Sequence, residues 1–265
     1  MKIYSAGCVC VDVFEELGEI RPGGEALNFC GNICGITGVE NALISVVGDD
    51  EYARVIREKL SGYPIDVRYL HTEHGATANH RIFHTQDGDR WFPDGAWDGG
   101  VLDGFRLSDE DIAFISEADA VHTHFDSPLF PQILEARRNG EFLLAVDFND
   151  YRDFSRWENV IKDIDLFFIS GSAEEYFPDI MRRWSEMFPG VFTVTLAAAG
   201  SVSFRNGIEY RCAAVPVEKV VDTTGAGDSY IAGFTAAYAA GSSIEEAMKQ
   251  GSLAASVNIA RLGGF

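Results

Sequence analysis

Short apolar segments alternate with amphipathic segments along most of this chain. The apolar segments, rich in β-branched and aromatic residues, predict strands at 2–7, 42–47, 120–125, 142–148, 166–170 and 191–196. The amphipathic segments predict helices at 51–61, 108–117, 128–139, 173–188 and 228–240. Strands that alternate with helices are typical of a parallel sheet covered on both faces. The pattern therefore predicts an α/β fold with a doubly wound, mostly parallel sheet.

One region breaks this rhythm. Residues 76–92 read as two strands around an Asp-Gly turn, with no helix between them. The segment 8–20 is also strand-like and precedes Pro22-Gly23-Gly24. We expect these parts, from about 8–24 and 72–95, to form a small β-sheet lid inserted in a single domain that spans 1–265.

Composition is that of a folded protein with one large core, because 46% of the 265 residues are apolar. The formal charge of −20 is spread along the chain without a basic stripe, which argues against a nucleic-acid partner. The first residues lack a signal-peptide core, and no run approaches the roughly 20 apolar residues that span a bilayer. We expect a soluble protein with no membrane partner.

Five cysteines form no even disulfide framework: Cys8, Cys10, Cys30, Cys34 and Cys212. The first four alternate with apolar residues, as buried thiols in a strand and a helix would. They are therefore expected to be reduced, which indicates a cytoplasmic location. An alternative is that these four bind zinc, although the usual C-x2-C spacing is missing.

A glycine-rich segment, Asp222 to Ser229, leads into a predicted buried helix. Backbone N–H groups at such a turn are unpaired and favour an anion, so those of Gly225, Ala226 and Gly227 could hold a phosphoryl group. Asp228, at the mouth of this turn, could accept a proton from an alcohol. The alternative is a helix N-cap with flanking turn glycines.

Residues Asp222 to Phe234 resemble the C-terminal signature of the ribokinase-like carbohydrate kinases, the PfkB group. The resemblance implies a ribokinase-like fold and ATP-dependent, Mg²⁺-dependent phosphoryl transfer to a sugar hydroxyl. It implies that Asp228 is the catalytic base and that Gly225, Ala226 and Gly227 form the anion hole. It further implies that Asp222 and Thr224 can help bind a monovalent cation such as K⁺.

The resemblance extends to the N-terminal part of the chain. Gly23 and Gly24, followed by Asn28, are similar to the sugar-binding glycine pair of that family, and Asp12 is similar to its substrate-hydroxyl ligand. An Asp and an Asn beside two glycines can grip vicinal hydroxyls close to the backbone. Arg90, near the second strand of the predicted lid, is expected to approach the sugar when the lid closes.

Nucleotide-binding positions are also implied by the resemblance. Thr195 and Gly200 are similar to the family's nucleotide-binding strand and turn, and Asn258 lies where the family often has a residue near the purine. Glu175 is expected to order a magnesium-bound water. Ser172 stands where the family commonly has an asparagine, which is a departure from its Asn-x-x-Glu pattern.

Within the family, segments 23–28, 47–60 and 71–92 are similar to kinases that phosphorylate fructoselysine or a related fructosamine at the 6-hydroxyl. An acidic protein suits a substrate with an ammonium group, and we hypothesise that Glu25, Asp94 or Asp98 pairs with it. Each could instead be a solvated loop charge. Other sugars, such as fructose or ribose, and nucleosides stay open as substrates.

Other functions are weighed against a kinase. A catalytically silent sugar or nucleotide sensor is compatible with the departure at Ser172, although Asp228 argues against it. A dinucleotide-dependent dehydrogenase is disfavoured because no Gly-x-Gly-x-x-Gly follows the first strand.

His122 and His124 are more plausible as histidines that line a substrate pocket than as metal ligands. An exposed lid face would favour a homodimer.

Overall fold

The computed structural model describes residues 1–84, 90–91 and 93–265, with the backbone alone for 84, 90 and 91. Its strands are β1 (Lys2–Ala6), β2 (Cys10–Phe14), β3 (Glu19–Gly23), β4 (Glu40–Val47), β5 (Leu70–Thr72), β6 (Asn79–His84), β7 (Arg90–Trp91), β8 (Trp97–Asp98), β9 (Ala120–His124), β10 (Leu143–Asp147), β11 (Leu166–Ser170), β12 (Val191–Thr195), β13 (Ser201–Arg205) and β14 (Ile208–Cys212). Its helices are α1 (Glu25–Ile33), α2 (Glu51–Leu60), α3 (Val101–Gly104), α4 (Asp109–Ile115), α5 (Phe130–Asn139), α6 (Pro178–Met187), α7 (Ala226–Ala239) and α8 (Ile244–Ile259).

The large sheet runs in the spatial order β14-β13-β12-β11-β10-β9-β1-β4-β5. All neighbours from β5 to β12 are parallel, while β12, β13 and β14 form an antiparallel edge. Every strand predicted for the body of the sheet is present within two residues of its expected ends. The predicted doubly wound, mostly parallel sheet is therefore confirmed, with β5, β13 and β14 added beyond the predicted strands.

Helices cover both faces of this sheet. On one face α1 and α7 bury Phe29 and Phe234 against β-strand residues such as Ile3 and Phe168. Helices α4, α5 and α6 pack on a second cluster that includes Trp184. Helix α7 is buried over most of its length, because small apolar residues let the sheet and α8 approach it closely. This burial holds the first turn of α7 at the carboxyl edge of the sheet.

A smaller sheet stands beside the large one, in the order β3-β2-β6-β7, with β8 also paired to β6. It is mostly antiparallel, the exception being the β2–β6 pair. Its strands come from the two segments expected to form a lid, although β8 extends beyond the expected end at 95. The predicted Asp-Gly turn lies outside the described residues.

The helix predicted at 173–188 begins only at Pro178, so the prediction is wrong for its first residues. Ser172 Oγ accepts hydrogen bonds from the N–H groups of Glu174 and Glu175, which stabilises a turn there. Phe177 takes a left-handed conformation with φ of 53°. The ring of Pro178 disfavours a helical residue before it, so the helix cannot extend further back.

Among the described residues, no helix has both the length and the apolar character that crossing a bilayer requires.

Candidate active site

A cavity of about 980 Å³ lies between the small sheet and the carboxyl edge of the large sheet. His124, Asp147 and Ser170 line it from the ends of β9, β10 and β11, while Asp12 and His80 line it from the small sheet. Ligands of open α/β sheets bind outside the carboxyl ends of the strands. The cavity is therefore where this fold is expected to bind a ligand.

The loop that leads into α7 forms one wall of the cavity. Gly225 has φ of 72°, and a Cβ there would lie 2.5 Å from the carbonyl oxygen of Gly264, so only glycine fits. Asp222 Oδ1 accepts hydrogen bonds from Thr224 N at 2.8 Å and Thr224 Oγ1 at 2.7 Å. Asp222 Oδ2 accepts one from Gly263 N at 3.0 Å. These bonds hold the loop in shape.

The predicted anion hole occupies the start of α7. Gly225 is the N-cap and the helix begins at Ala226, so first-turn N–H groups lack carbonyl partners within the helix. The Ala226 N–H donates to the carbonyl oxygen of Thr223 at 3.2 Å. It would have to leave this bond to reach a ligand.

Asp228 lies in the first turn of α7 and lines the cavity, yet its side chain is buried. Asn28 Nδ2 donates a hydrogen bond to Asp228 Oδ2 at 2.9 Å. Burial raises the pKa of Asp228 to about 8, and the nearby charges of Glu25 and Asp147 add to the rise. The Asn28 bond and His124 oppose it. Asp228 is therefore a far stronger base than an exposed aspartate.

The predicted sugar-binding residues come together around Asp228. Asp12, Gly24 and Asn28 all line the cavity. Gly24 has φ of 101°, and a Cβ there would lie 2.6 Å from the carbonyl oxygen of Cys8. Gly23 is not part of the lining and packs against the carboxylate of Asp12 instead. The side chain of Arg90 lies outside the described residues.

The predicted nucleotide-binding residues lie outside the lining of this cavity. Glu175 is exposed and its Oε2 lies 3.4 Å from Arg152 Nε. Thr195 ends β12, and Gly200 closes the turn before β13 with φ of 93°. Asn258 is fully buried, and its Nδ2 donates to the carbonyl oxygen of Gly264 at 2.7 Å. Asn258 thus holds Gly264 against Gly225.

An apolar surface adjoins the loop and escaped the sequence prediction. Val221, Leu253 and Val257 are each about half exposed. Leu253 and Val257 lie one turn apart on α8, and the Val221 N–H donates to the carbonyl oxygen of Ile259 at 2.8 Å. Exposed apolar patches mark binding surfaces. The i, i+4 pair on α8 is the signal that could have indicated it.

His124 and Asp126 form an ion pair at the cavity wall. His124 is buried, and burial on its own lowers the pKa of its imidazole. The bond to Asp126 and the nearby carboxylates outweigh this effect and raise the pKa of His124 to about 10, so the ring carries a positive charge. His122 is different, since it stacks on Phe29 and shares a hydrogen bond with Ser5. Burial lowers the pKa of His122 to about 3, so it is a neutral core residue.

The alternative metal sites are not assembled in the part of the chain that the structure describes. No group of three or more His, Cys, Asp or Glu side chains there is arranged to hold a metal ion. Cys8 and Cys10 line the cavity, whereas the thiol of Cys30 donates to the carbonyl oxygen of Ala42.

Asp228→Asn should raise the stability of the protein at pH 8 and have little effect at pH 4. The pKa of Asp228 is about 8 in the folded chain and about 3.9 in an unfolded one, so between these values only the folded state holds the proton. The contribution of Asp228 to the free energy of unfolding therefore falls as the pH rises from about 4 to 8. The neutral amide that Asp228→Asn introduces avoids that loss of stability, and its oxygen can still accept the hydrogen bond from Asn28.

Thermal denaturation of wild type and Asp228→Asn at pH 4.5 and pH 8 measures the shift in melting temperature, which is about 2–4 °C for each kcal/mol of unfolding free energy. Asp94→Asn is the matched control, because Asp94 is exposed and does not line the cavity. An Asp228→Asn effect that is the same at both pH values would contradict the assigned environment.

Known proteins are similar to this chain over nearly its whole length. The profile described as pfkB family carbohydrate kinase matches residues 16–264. The chain is 34% identical to the fructoselysine 6-kinase of Shigella flexneri over 99% of both chains. It is 27% identical to the fructosamine kinase FrlD of Bacillus subtilis (strain 168), over 100% of this chain and 93% of the relative.

A solved structure of ribokinase from Arabidopsis thaliana, complexed with ribose and ATP, superimposes with a TM-score of 0.81 at 19% identity, covering 99% of this chain and 93% of that one. That likeness confirms the ribokinase-like fold. The family match and the long alignment with kinases confirm the resemblance inferred from the motifs, and this chain therefore belongs to the PfkB family of carbohydrate kinases.

Proposed function

We propose that this kinase transfers a phosphoryl group from ATP to the 6-hydroxyl of fructoselysine or a related fructosamine. The observation that carries the chemistry is Asp228, a buried carboxylate of raised pKa at the start of a helix and inside a cavity. The alignment over 99% of the chain with a fructoselysine 6-kinase supports the substrate.

In the proposed reaction, Asp12, Gly24 and Asn28 hold the sugar so that its hydroxyl faces Asp228. Asp228 accepts the hydroxyl proton as the oxygen attacks the terminal phosphorus of ATP and the bond to ADP breaks. The N–H groups at the start of α7 stabilise the charge on the transferred group. The small sheet acts as a lid that excludes water, with Arg90 on its β7 strand.

The nucleotide is proposed to lie outside the sugar cavity, across the start of α7. The apolar surface of Val221, Leu253 and Val257 can pack against a purine, with Thr195 and Gly200 on the neighbouring strand and turn. The exposed carboxylate of Glu175 suits contact with magnesium through water, because magnesium prefers oxygen ligands and keeps several waters. When bound, magnesium neutralises phosphate charge.

A monovalent cation such as K⁺ is proposed to bind beside the loop that leads into α7. Asp222 and Thr224, its proposed ligands, already bond to one another, and Asp222 also bonds to Gly263. These contacts shape the loop through the protein's own groups.

A cytoplasmic location fits the thiols. The five cysteines are free in the structure, as expected in a reducing compartment.

We also propose a homodimer formed through the small sheet. The path of this sheet ends on β3 and β7, and edge strands tend to be covered. Leu17, in the turn between β2 and β3, is 53% exposed. Sedimentation equilibrium should give twice the mass of one chain, and a monomer at all concentrations would remove this proposal.

Magnesium-dependent release of ADP should be highest with fructosamines in a panel of fructoselysine, other fructosamines, fructose, ribose and nucleosides. Asp228→Asn should lower kcat by at least about 100-fold, because general-base catalysis contributes that much. Turnover of another panel member alone would retain the kinase and change the substrate. Nucleotide binding without any turnover would favour a silent sensor, and near-normal activity of Asp228→Asn would refute its role.

The pH dependence of kcat/KM for the sugar should follow the ionisation of Asp228. Only the ionised carboxylate accepts a proton, so kcat/KM should rise with pH up to about 8. Below that value it should fall about tenfold for each pH unit. Direct separation of ADP from ATP between pH 5.5 and 9 measures this without coupling enzymes. A flat profile from pH 6 to 9 would contradict the raised pKa.

A further inference from the structure

We propose that Glu25 binds the protonated amine next to C1 of the sugar, and that this contact distinguishes sugar-amines from neutral sugars. The inference rests on the proposed function, which it deepens by naming the residue that reads the charge of the substrate.

The described lining of the cavity is strongly acidic. It contains no lysine or arginine, and besides Asp228 it holds six carboxylates: Asp12, Glu25, Asp103, Asp126, Asp147 and Asp150. Clefts lined by charge of one sign concentrate ligands of the opposite sign. A neutral sugar gains nothing from this field, whereas a substrate with an ammonium group is attracted by it.

Most of these carboxylates already have partners or other roles. Asp126 is paired with the charged His124. Asp147 Oδ1 accepts a hydrogen bond from the Asn149 N–H at 2.8 Å, and Asp228 binds Asn28. Asp103 and Asp150 are exposed, so water screens their charges. Because Asp12 is proposed to hold the sugar hydroxyls, Glu25 is the remaining partly buried carboxylate of the lining that can pair with a charged group.

Glu25 is partly buried and directly follows Gly24 at the start of α1. No lysine, arginine or histidine side chain among those described forms an ion pair with it, and its contact within the site is the thiol of Cys8. The charged His124 acts on Glu25 through space without a direct ion pair, and a partly buried carboxylate with no bonded cation gains more from a new ion pair than an exposed one does. The two other hypothesised partners, Asp94 and Asp98, are exposed and lie outside the lining.

The position of Glu25 also fits the length of a sugar. Glu25 and Asn28 occupy positions i and i+3 of α1. Their side chains therefore lie on the same face of the helix, about one turn, or about 5 Å, apart. Asn28 contacts Asp228, where the reacting hydroxyl is placed. A hexose with its 6-hydroxyl at Asp228 therefore extends its other end, which carries the amine, towards Glu25.

A second observation links this contact to catalysis. The charge of Glu25 raises the pKa of Asp228, together with burial and Asp147, while Asn28 and His124 lower it. An ammonium group beside Glu25 offsets that charge. The cationic substrate should therefore ionise its own catalytic base more readily than a neutral sugar of the same shape does.

The test compares fructoselysine with fructose in wild type, Glu25→Gln and Glu25→Asp. We expect Glu25→Gln to raise the KM for fructoselysine about 10–100-fold and to leave the KM for fructose within about twofold. Glu25→Asp should recover part of the loss, because it keeps the charge. Asp94→Asn is the control of equal charge change and should alter neither KM. Melting temperatures identify any variant that fails to fold.

Equal changes in both KM values, or no change in either, would overturn the role of Glu25. Calorimetric binding to Asp228→Asn, alone and combined with Glu25→Gln, separates this result from a failure of the proposed function. Tighter binding of fructoselysine than fructose that is lost with Glu25→Gln supports the inference even if no fructosamine is phosphorylated. Equal binding of the two sugars to Asp228→Asn refutes it whichever substrate is turned over.

Discussion

The site depends on the burial of one carboxylate. Asp228 is held at the carboxyl edge of the large sheet because α7 behind it is packed against the sheet, α1 and α8. Burial of a charge is unfavourable, and the cost is tolerated because the apolar contacts of α7 are extensive. The same burial raises the pKa of the carboxylate to about 8, which suits the general-base role proposed for it. Stability and reactivity are therefore opposed at this residue.

Residues far apart in the chain complete the environment of Asp228. Asn28 reaches it from α1, and Gly264 packs on Gly225 while accepting hydrogen bonds from Asn32 and Asn258. The last residues of the chain thus brace the loop that starts α7. A substitution at Asn258 would act on the proposed anion hole through Gly264, although Asn258 is not part of the cavity lining.

The strands and the glycine-rich loop could be predicted from the sequence because their signals are local. Apolar runs mark β1, β9, β10 and β11, and the family motif marks the start of α7. The predicted start of α6 is wrong because Ser172 forms a turn with Glu175 and Pro178 fixes the first residue of the helix, neither of which apolar periodicity reports. The Asn28–Asp228 bond joins residues 200 positions apart, and only the folded chain brings them together. The same holds for the charge of His124, which depends on burial beside several carboxylates.

An acidic cavity repels the phosphoryl group that a kinase transfers, since phosphate is also negative. In the proposed complex the carboxylates surround the sugar, whereas the first-turn N–H groups and the positive end of the α7 helix dipole face the phosphate. In the proposed complex the helix end and magnesium neutralise the phosphates, because the described lining contains no lysine or arginine. On this proposal the carboxylates can select the sugar by its charge, which a basic cavity built for phosphate could not do.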